Sequence, residues 1–140
     1  MYKKILLAAD GSEHAVRATE NAVYIAQKKN GTRIDLVHVV DETPVRSDVL
    51  SQAYPIRTIP EERVEKLAPI IDKLNESGVQ FQTKAFFGDP GPSIVKAANE
   101  GDYDLVIIGS RGLNQFQQMV LGSVSHKVAK RVKCPVMIVK

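Results

Sequence analysis

The stretch DLVIIGSRG occupies residues 104–112, and LGSVS follows it at residues 121–125. The aliphatic run is apolar on both faces, as expected of a central strand in a parallel sheet. The glycines that follow it allow backbone N–H groups to approach an anion closely. The Gly-Ser step then opens a segment with a helical pattern, and a helix N-terminus adds unpaired N–H donors. The pattern therefore predicts a phosphate-binding loop after a buried strand.

Alternating strand and helix patterns lie on the N-terminal side of this stretch and continue beyond it. Strands are predicted over residues 3–9, 33–40, 79–87, 105–108 and 136–139, and helices over 13–29, 60–76 and 124–132. A further helix is predicted to open from a tight turn at residues 88–93 and to run through about residue 99. Residues 41–59 contain two prolines and form the least regular part of the chain, in which only residues around 48–53 have a helical pattern. A connection of this length is often functional or mobile.

This alternation predicts an α/β fold with three α/β/α layers around a five-stranded parallel sheet. We expect a Rossmann-like arrangement with strand order 3-2-1-4-5, and one domain over residues 1–140. Ligands of such folds bind at the carboxyl ends of the strands, where the strand order reverses. The reversal falls between strands one and four, so Asp10 is expected to face Gly109 across one crevice.

The composition is that of a globular protein without a membrane-spanning segment. The chain has 140 residues, of which 44% are hydrophobic and 25% charged, and it has no apolar run long enough to cross a bilayer. The single cysteine, Cys134, cannot form an internal disulfide and fits a reducing compartment, so a cytoplasmic protein is expected. Basic and aromatic residues do not interleave, so neither nucleic acid nor a membrane is expected as a partner.

The charges are distributed unevenly along the chain. Residues 1–104 carry 13 basic and 16 acidic residues, whereas residues 105–140 carry six basic residues and no acid. A local positive field suits a polyphosphate ligand. For Lys127, Lys130 and Arg131 the alternative is that they complement the C-terminal end of a helix dipole.

The spacing of the glycines excludes the two commonest phosphate loops. No glycine is followed by Lys and then Ser or Thr, as a Walker A loop requires, and the spacing G-x-G-x-x-G is absent. The chain instead has G-x2-G-x9-G-S, formed by Gly109, Gly112, Gly122 and Ser123.

These segments, together with the N-terminal strand leading to DGS at residues 10–12 and the CPVMIV run at residues 134–139, resemble the universal stress protein family. The resemblance covers nearly the whole chain. It implies a fold like that of the adenine nucleotide alpha hydrolases. Within the family, the members that bind ATP are similar to this chain in retaining G-x2-G-x9-G-[S/T].

By this resemblance the motif would hold the ribose and phosphates of ATP. Because a carboxylate beside a triphosphate suits Mg²⁺, we expect Mg²⁺ or Mn²⁺ to accompany the nucleotide. The backbone at Val39 would meet the adenine, and Asp10 would lie beside the nucleotide. The remaining residues that the resemblance implies as a binding site are Ala8, Ile108 and Val124, which would form its walls. Arg111, which lies inside the motif, is a further candidate because its charge could pair with phosphate.

Several of these residues have a structural alternative. Asp10 either orients the nucleotide or its metal ion, or caps the helix that follows Ser12. Ser123 caps the last helix, donates to a phosphate, or does both. Arg111 either pairs with phosphate or is solvated. His38 is expected to be a satisfied histidine of the sheet, while His14 and His126 are expected on helix surfaces.

The function expected from these observations is nucleotide-dependent sensing or regulation in a stress response. The alternatives are a slow ATPase, a phosphoryl or adenylyl transferase, or a nucleotide-independent dimeric interaction module. No P-loop lysine or evident base is found in the sequence, so at most weak ATP hydrolysis is expected. The strand at residues 136–139 is a predicted sheet edge, and by the resemblance a homodimer would form through it.

Overall fold

The computed structural model describes residues 2–9, 13–40, 61–110 and 123–140, with backbone alone for residues 13, 61–63 and 123. Five strands and four helices alternate within these ranges. In chain order they are β1 (Lys4–Ala8), α1 (Glu13–Ala26), β2 (Arg33–Val40), α2 (Glu61–Ser77), β3 (Gln80–Phe87), α3 (Pro90–Glu100), β4 (Leu105–Gly109), α4 (Ser123–Arg131) and β5 (Val136–Val139).

The strands form one parallel sheet in the order β3-β2-β1-β4-β5, which confirms the predicted order. The strand β1 lies between β2 and β4, and its last residue, Ala8, is in register with Val37 on one side and Ile108 on the other. The carboxyl ends of these three strands therefore meet at one edge, which we call the carboxyl edge.

Helices cover both faces of the sheet, as the predicted three-layer architecture requires. One core cluster joins α1 and α2 to one face through residues such as Ala18, Leu67 and Ile107. The other cluster joins α3 and α4 to the opposite face through residues such as Ile94 and Val128. Within the described ranges, no helix is both long and apolar enough to cross a membrane.

Helix α1 packs closely on the sheet because its buried side chains are small. Ala15, Ala18, Ala22 and Ala26 are all buried. The helix ends at Ala26, three residues earlier than predicted. Beyond that point the Lys28 N–H donates to the Ile25 carbonyl, three residues back, so the backbone tightens instead of continuing as an α-helix.

The turn between β3 and α3 brings the start of α3 to the carboxyl edge. Gly88 has a φ of 133°, which favours glycine, and its N–H donates to the Val40 carbonyl at the end of β2. Pro90 then occupies the first helical position, where its missing N–H carries no cost. The two helices of this layer, α3 and α4, consequently both begin at the carboxyl edge.

Candidate functional site

Three of the predicted site residues form an apolar floor at the carboxyl edge. Ala8, Val39 and Ile108 lie at or next to the ends of β1, β2 and β4, and all three face the layer of α3 and α4. Ala8 and Ile108 are directly paired across the sheet. All three side chains are buried. An apolar surface of this kind can cover one face of a flat ring.

Two further predicted residues adjoin this floor. Gly109 is the last residue of β4 and pairs with Val139 of β5. Val124 is the second residue of α4, and its half-buried side chain packs against the same core cluster as the floor. The structure therefore brings five of the predicted site residues to one edge of the sheet.

Ser123 is the first residue of α4, which therefore begins one residue earlier than predicted, and its side chain is not described. The other predicted residues, Asp10, Arg111, Gly112 and Gly122, lie outside the described residues, as does the connection over 41–59. Among the residues that are described, no group of three His, Cys, Asp or Glu side chains could hold a metal ion.

Ser110 carries a set of contacts that the sequence did not reveal. Its N–H donates to the Val139 carbonyl at 2.7 Å, and its own carbonyl accepts the Ser125 hydroxyl at 2.9 Å. Its hydroxyl lies 3.2 Å from His14 Nδ1. The sequence places His14 on the helix surface, whereas the ring is half-buried against Ser110. A contact between residues 96 positions apart leaves no local signal in the sequence.

His38 fixes the end of β1 through one nitrogen of its imidazole ring, as a structural residue of the sheet. The side chain is buried, and its Nδ1–H donates to the Ala9 carbonyl at 2.8 Å. The Ala9 N–H in turn donates to the Val37 carbonyl. Both backbone groups of Ala9 are therefore held by β2 immediately before Asp10.

The basic residues of α4 fall into two groups. Lys130 and Arg131 lie in its last turn, where they complement the helix dipole. Lys127 lies one turn earlier, and its half-buried stem crosses the first turn of α3: a Cβ added to Gly91 would be 2.8 Å from Lys127 Cδ. Helical side chains point back toward the helix N-terminus, so this stem is directed toward the carboxyl edge.

A polar cluster around Asp35 lies on the sheet face that α3 and α4 cover, which is also the face of the apolar floor. It lies toward the amino-terminal ends of the strands, which we call the amino edge. The Asp35 side chain is fully buried and accepts the Tyr103 hydroxyl at 2.6 Å. Lys84 Nζ and Arg33 Nε each lie 3.3 Å from its carboxylate oxygens. Lys4 Nζ lies 4.5 Å from the centroid of the Tyr103 ring.

The residues of this cluster shift the pKa values of the Asp35 carboxyl group and the Tyr103 hydroxyl group in opposite directions. Burial by itself raises the pKa of Asp35, but the hydrogen bonds from Tyr103 and Gln82 and the charges of Lys84 and Arg33 outweigh it, so that the pKa is lowered. Burial and the hydrogen bond to Asp35 raise the pKa of Tyr103 far above its usual range. Asp35 is therefore a buried, paired carboxylate, and the cluster holds the amino edge together.

The family assignment follows from comparison with known proteins. The profile of the universal stress protein family matches residues 1–140. The chain belongs to the universal stress protein family. The family proposed from the sequence is thereby confirmed.

Individual relatives agree with this assignment. The universal stress protein YxiE of Bacillus subtilis (strain 168) is 33% identical over 149 residues, and the match covers all of both chains. The solved structure of the hypothetical protein MJ0577 is similar with a TM-score of 0.80 and 30% identity, covering 100% of this chain and 96% of that one. A universal stress protein in complex with cAMP is similar with a TM-score of 0.73 and 25% identity, covering 99% and 97%.

Proposed function

We propose that this universal stress protein binds ATP at the carboxyl edge of its sheet. The observation that carries the proposal is the convergence of the apolar floor, Gly109 and the start of α4, where the sequence has G-x2-G-x9-G-S. The similar universal stress protein in complex with cAMP adds that an adenine nucleotide is bound by a related chain.

In the proposed complex the base lies over Ala8, Val39 and Ile108, and the phosphates lie at the N-terminus of α4. Backbone N–H groups at helix N-termini favour anions, and residues 105–140 contain no acidic side chain that would repel them. The ligand is expected to contact Gly109, Gly112, Gly122, Ser123 and Val124, with Arg111 on a phosphate and Asp10 on the ribose or on a hydrated Mg²⁺ or Mn²⁺ ion.

Equilibrium binding tests this proposal. Isothermal titration calorimetry with ATP, ADP, AMP and cAMP is expected to show binding of ATP by the parent protein. Gly122→Val, which places a branched side chain in the motif, is expected to abolish it. Ala129→Val is the matched control, because residue 129 is exposed on α4. Absence of binding by all four nucleotides contradicts the proposal, and binding of AMP or cAMP without ATP contradicts its triphosphate specificity.

We propose further that the nucleotide regulates this protein in a cytoplasmic stress response and is not consumed in rapid turnover. The sequence lacks the lysine of a Walker A loop, which reaches the terminal phosphates in phosphate-transferring enzymes. Phosphate release with Mg²⁺ or Mn²⁺ is expected to stay far below the roughly 1–10³ s⁻¹ of typical enzymes. Release within that range would favour the ATPase alternative.

A homodimer is also proposed, because β5 is an edge strand whose four apolar residues are only half-buried. The Pro135 and Val139 carbonyls face β4. Since hydrogen-bonding direction alternates along a strand, the Ile138 N–H faces away from β4. Ile138→Pro removes that outward donor and is expected to convert a dimer to a folded monomer in analytical ultracentrifugation. A monomeric parent protein or a dimeric variant contradicts pairing through this strand.

A further inference from the structure

A network of three polar side chains joins separate elements at the carboxyl edge. It consists of His14 in the first turn of α1, Ser110 directly after β4, and Ser125 in the first turn of α4. Ser110 is its centre, since its hydroxyl meets His14 and its carbonyl accepts the Ser125 hydroxyl. We call these residues the His14–Ser110–Ser125 network.

The network is built into the protein interior. Ser110 and Ser125 are 8% and 2% exposed, so the hydrogen bond between them is shielded from competing water, while His14 is half-buried beside Ser110. The Ser110 N–H is also used, because it donates to the Val139 carbonyl. The backbone and side chain of Ser110 are thus fixed by α1, α4 and β5 together.

The two serines of the network lie close to the glycine motif in the sequence. Ser110 and Ser125 flank residues 111–124, which contain Gly112, Gly122 and Ser123 of the motif. The Ser125–Ser110 bond holds the two ends of this segment together. His14 connects them to α1, which follows Asp10 in the chain.

We propose that His14 is a positioning residue of the nucleotide site, acting through Ser110 on the geometry of the phosphate-binding motif. This inference rests on the proposed function. The imidazole contacts the Ser110 hydroxyl and thereby fixes the residue that directly follows Gly109, the first glycine of the motif. Nucleotide affinity consequently depends on His14 even though the residue needs no contact with the ligand.

Two comparisons between variants distinguish this role of His14 from simple packing. An asparagine amide places a polar atom near the position of Nδ1, so His14→Asn retains a partner for Ser110, whereas His14→Leu retains only bulk. Since the effect travels through one hydrogen bond, removing its other partner in Ser110→Ala is expected to have the same consequence.

The test is a double-mutant cycle on ATP affinity, measured by calorimetry. His14→Leu and Ser110→Ala are each expected to raise the Kd for ATP by roughly 3- to 10-fold, the range for losing one hydrogen bond. The double variant is expected to be no weaker than either single variant. His14→Asn is expected to stay within about twofold of the parent. His126→Leu, on the exposed face of α4, is the matched histidine control.

Each contrary result has a separate meaning. An unchanged Kd in His14→Leu with a lower unfolding midpoint shows a merely structural role and overturns the inference. Additive losses in the double variant, or a loss in His14→Asn equal to that in His14→Leu, overturn the route through Ser110. If His14→Leu does not fold by circular dichroism, an unchanged Kd in Ser110→Ala overturns the inference. A parent protein that binds no adenine nucleotide removes the proposed function and this inference with it.

Discussion

Replacing Tyr103 by phenylalanine removes one O–H group from the cluster around Asp35 and leaves the packing of the ring unchanged. The lost hydrogen bond is 2.6 Å long and ends on a carboxylate that is fully buried, so water cannot replace the donor. We therefore expect a clear loss of stability from a change that creates no cavity.

The magnitude follows from the contacts that remain. A hydrogen bond to a charged group contributes about 1.5–3 kcal/mol, and a buried carboxylate oxygen that loses one of its donors adds a desolvation cost. Lys84 Nζ stays 3.3 Å from the same oxygen and compensates part of that cost. We expect Tyr103→Phe to lower the free energy of unfolding by about 2–3 kcal/mol at pH 7.

The effect is expected to depend on pH in a defined direction. The pKa of Asp35 is lowered from 3.8 in the folded protein, so its ionised form stabilises the fold above that pH, and this contribution is lost as the pH falls through the folded pKa. In Tyr103→Phe the raising effect of burial is less opposed, so the pKa of Asp35 rises, the stabilisation by its ionised form becomes smaller, and the loss of that stabilisation is complete at a higher pH. Once Asp35 is protonated in both proteins, the difference between them is expected to shrink.

Urea unfolding followed by far-ultraviolet circular dichroism measures these quantities, since the chain contains no tryptophan. Tyr24→Phe is the matched control, because Tyr24 is 63% exposed, and it is expected to change stability by less than about 0.5 kcal/mol. The reasoning is refuted if Tyr103→Phe costs as little as the control. It is also refuted if the substitution costs as much in an Asp35→Asn background as in the parent protein.

Two further substitutions and one thiol reaction test other parts of the fold. Gly101→Ala would place a Cβ against the Tyr103 ring and 2.8 Å from the Ala97 carbonyl oxygen, so an overpacking cost of about 1–3 kcal/mol is expected in urea unfolding. Asp104→Ala removes the acceptor of two backbone N–H groups, each at 2.9 Å, and is expected to cost about 1–2 kcal/mol by the same assay, with Asp104→Asn costing less. Burial raises the pKa of Cys134, so its thiol is expected to react with a disulfide reagent at pH 8 more slowly in the folded protein than in urea, and equal rates would contradict this.

The architecture was predictable because it follows from periodicity that is local in sequence. The apolar run at residues 105–108 and the small residues Ala15, Ala18 and Ala22 specify a central strand and a closely packed helix whatever the rest of the chain does. The strand order followed from a general rule for α/β folds and is confirmed. The end of α1 was missed because a tightened turn after Ala26 depends on hydrogen bonds that residue types do not determine.

The polar contacts were not predictable in the same way, because their partners are distant in sequence. His14 meets Ser110 across 96 positions, and Asp35 meets Tyr103 across 68. Asp35 did leave a signal, since it is an acid between the apolar residues Ile34 and Leu36 of a strand, which indicates a paired buried carboxylate. The sequence did not indicate which residues supply the donors. The assignment of nucleotide-binding roles to individual motif residues remains a prediction.

The central position of β1 has a consequence for synthesis on the ribosome. Ile5, Leu6 and Leu7 are fully buried, and their second neighbouring strand, β4, begins 100 residues after Ile5, with Leu105. At roughly 5–20 residues per second, translation leaves that side of β1 unpaired for about 5–20 seconds. An unpaired apolar edge is prone to association during this interval. The last part of the chain to emerge, which carries the glycine motif, therefore closes the sheet and completes the candidate nucleotide site in the same step.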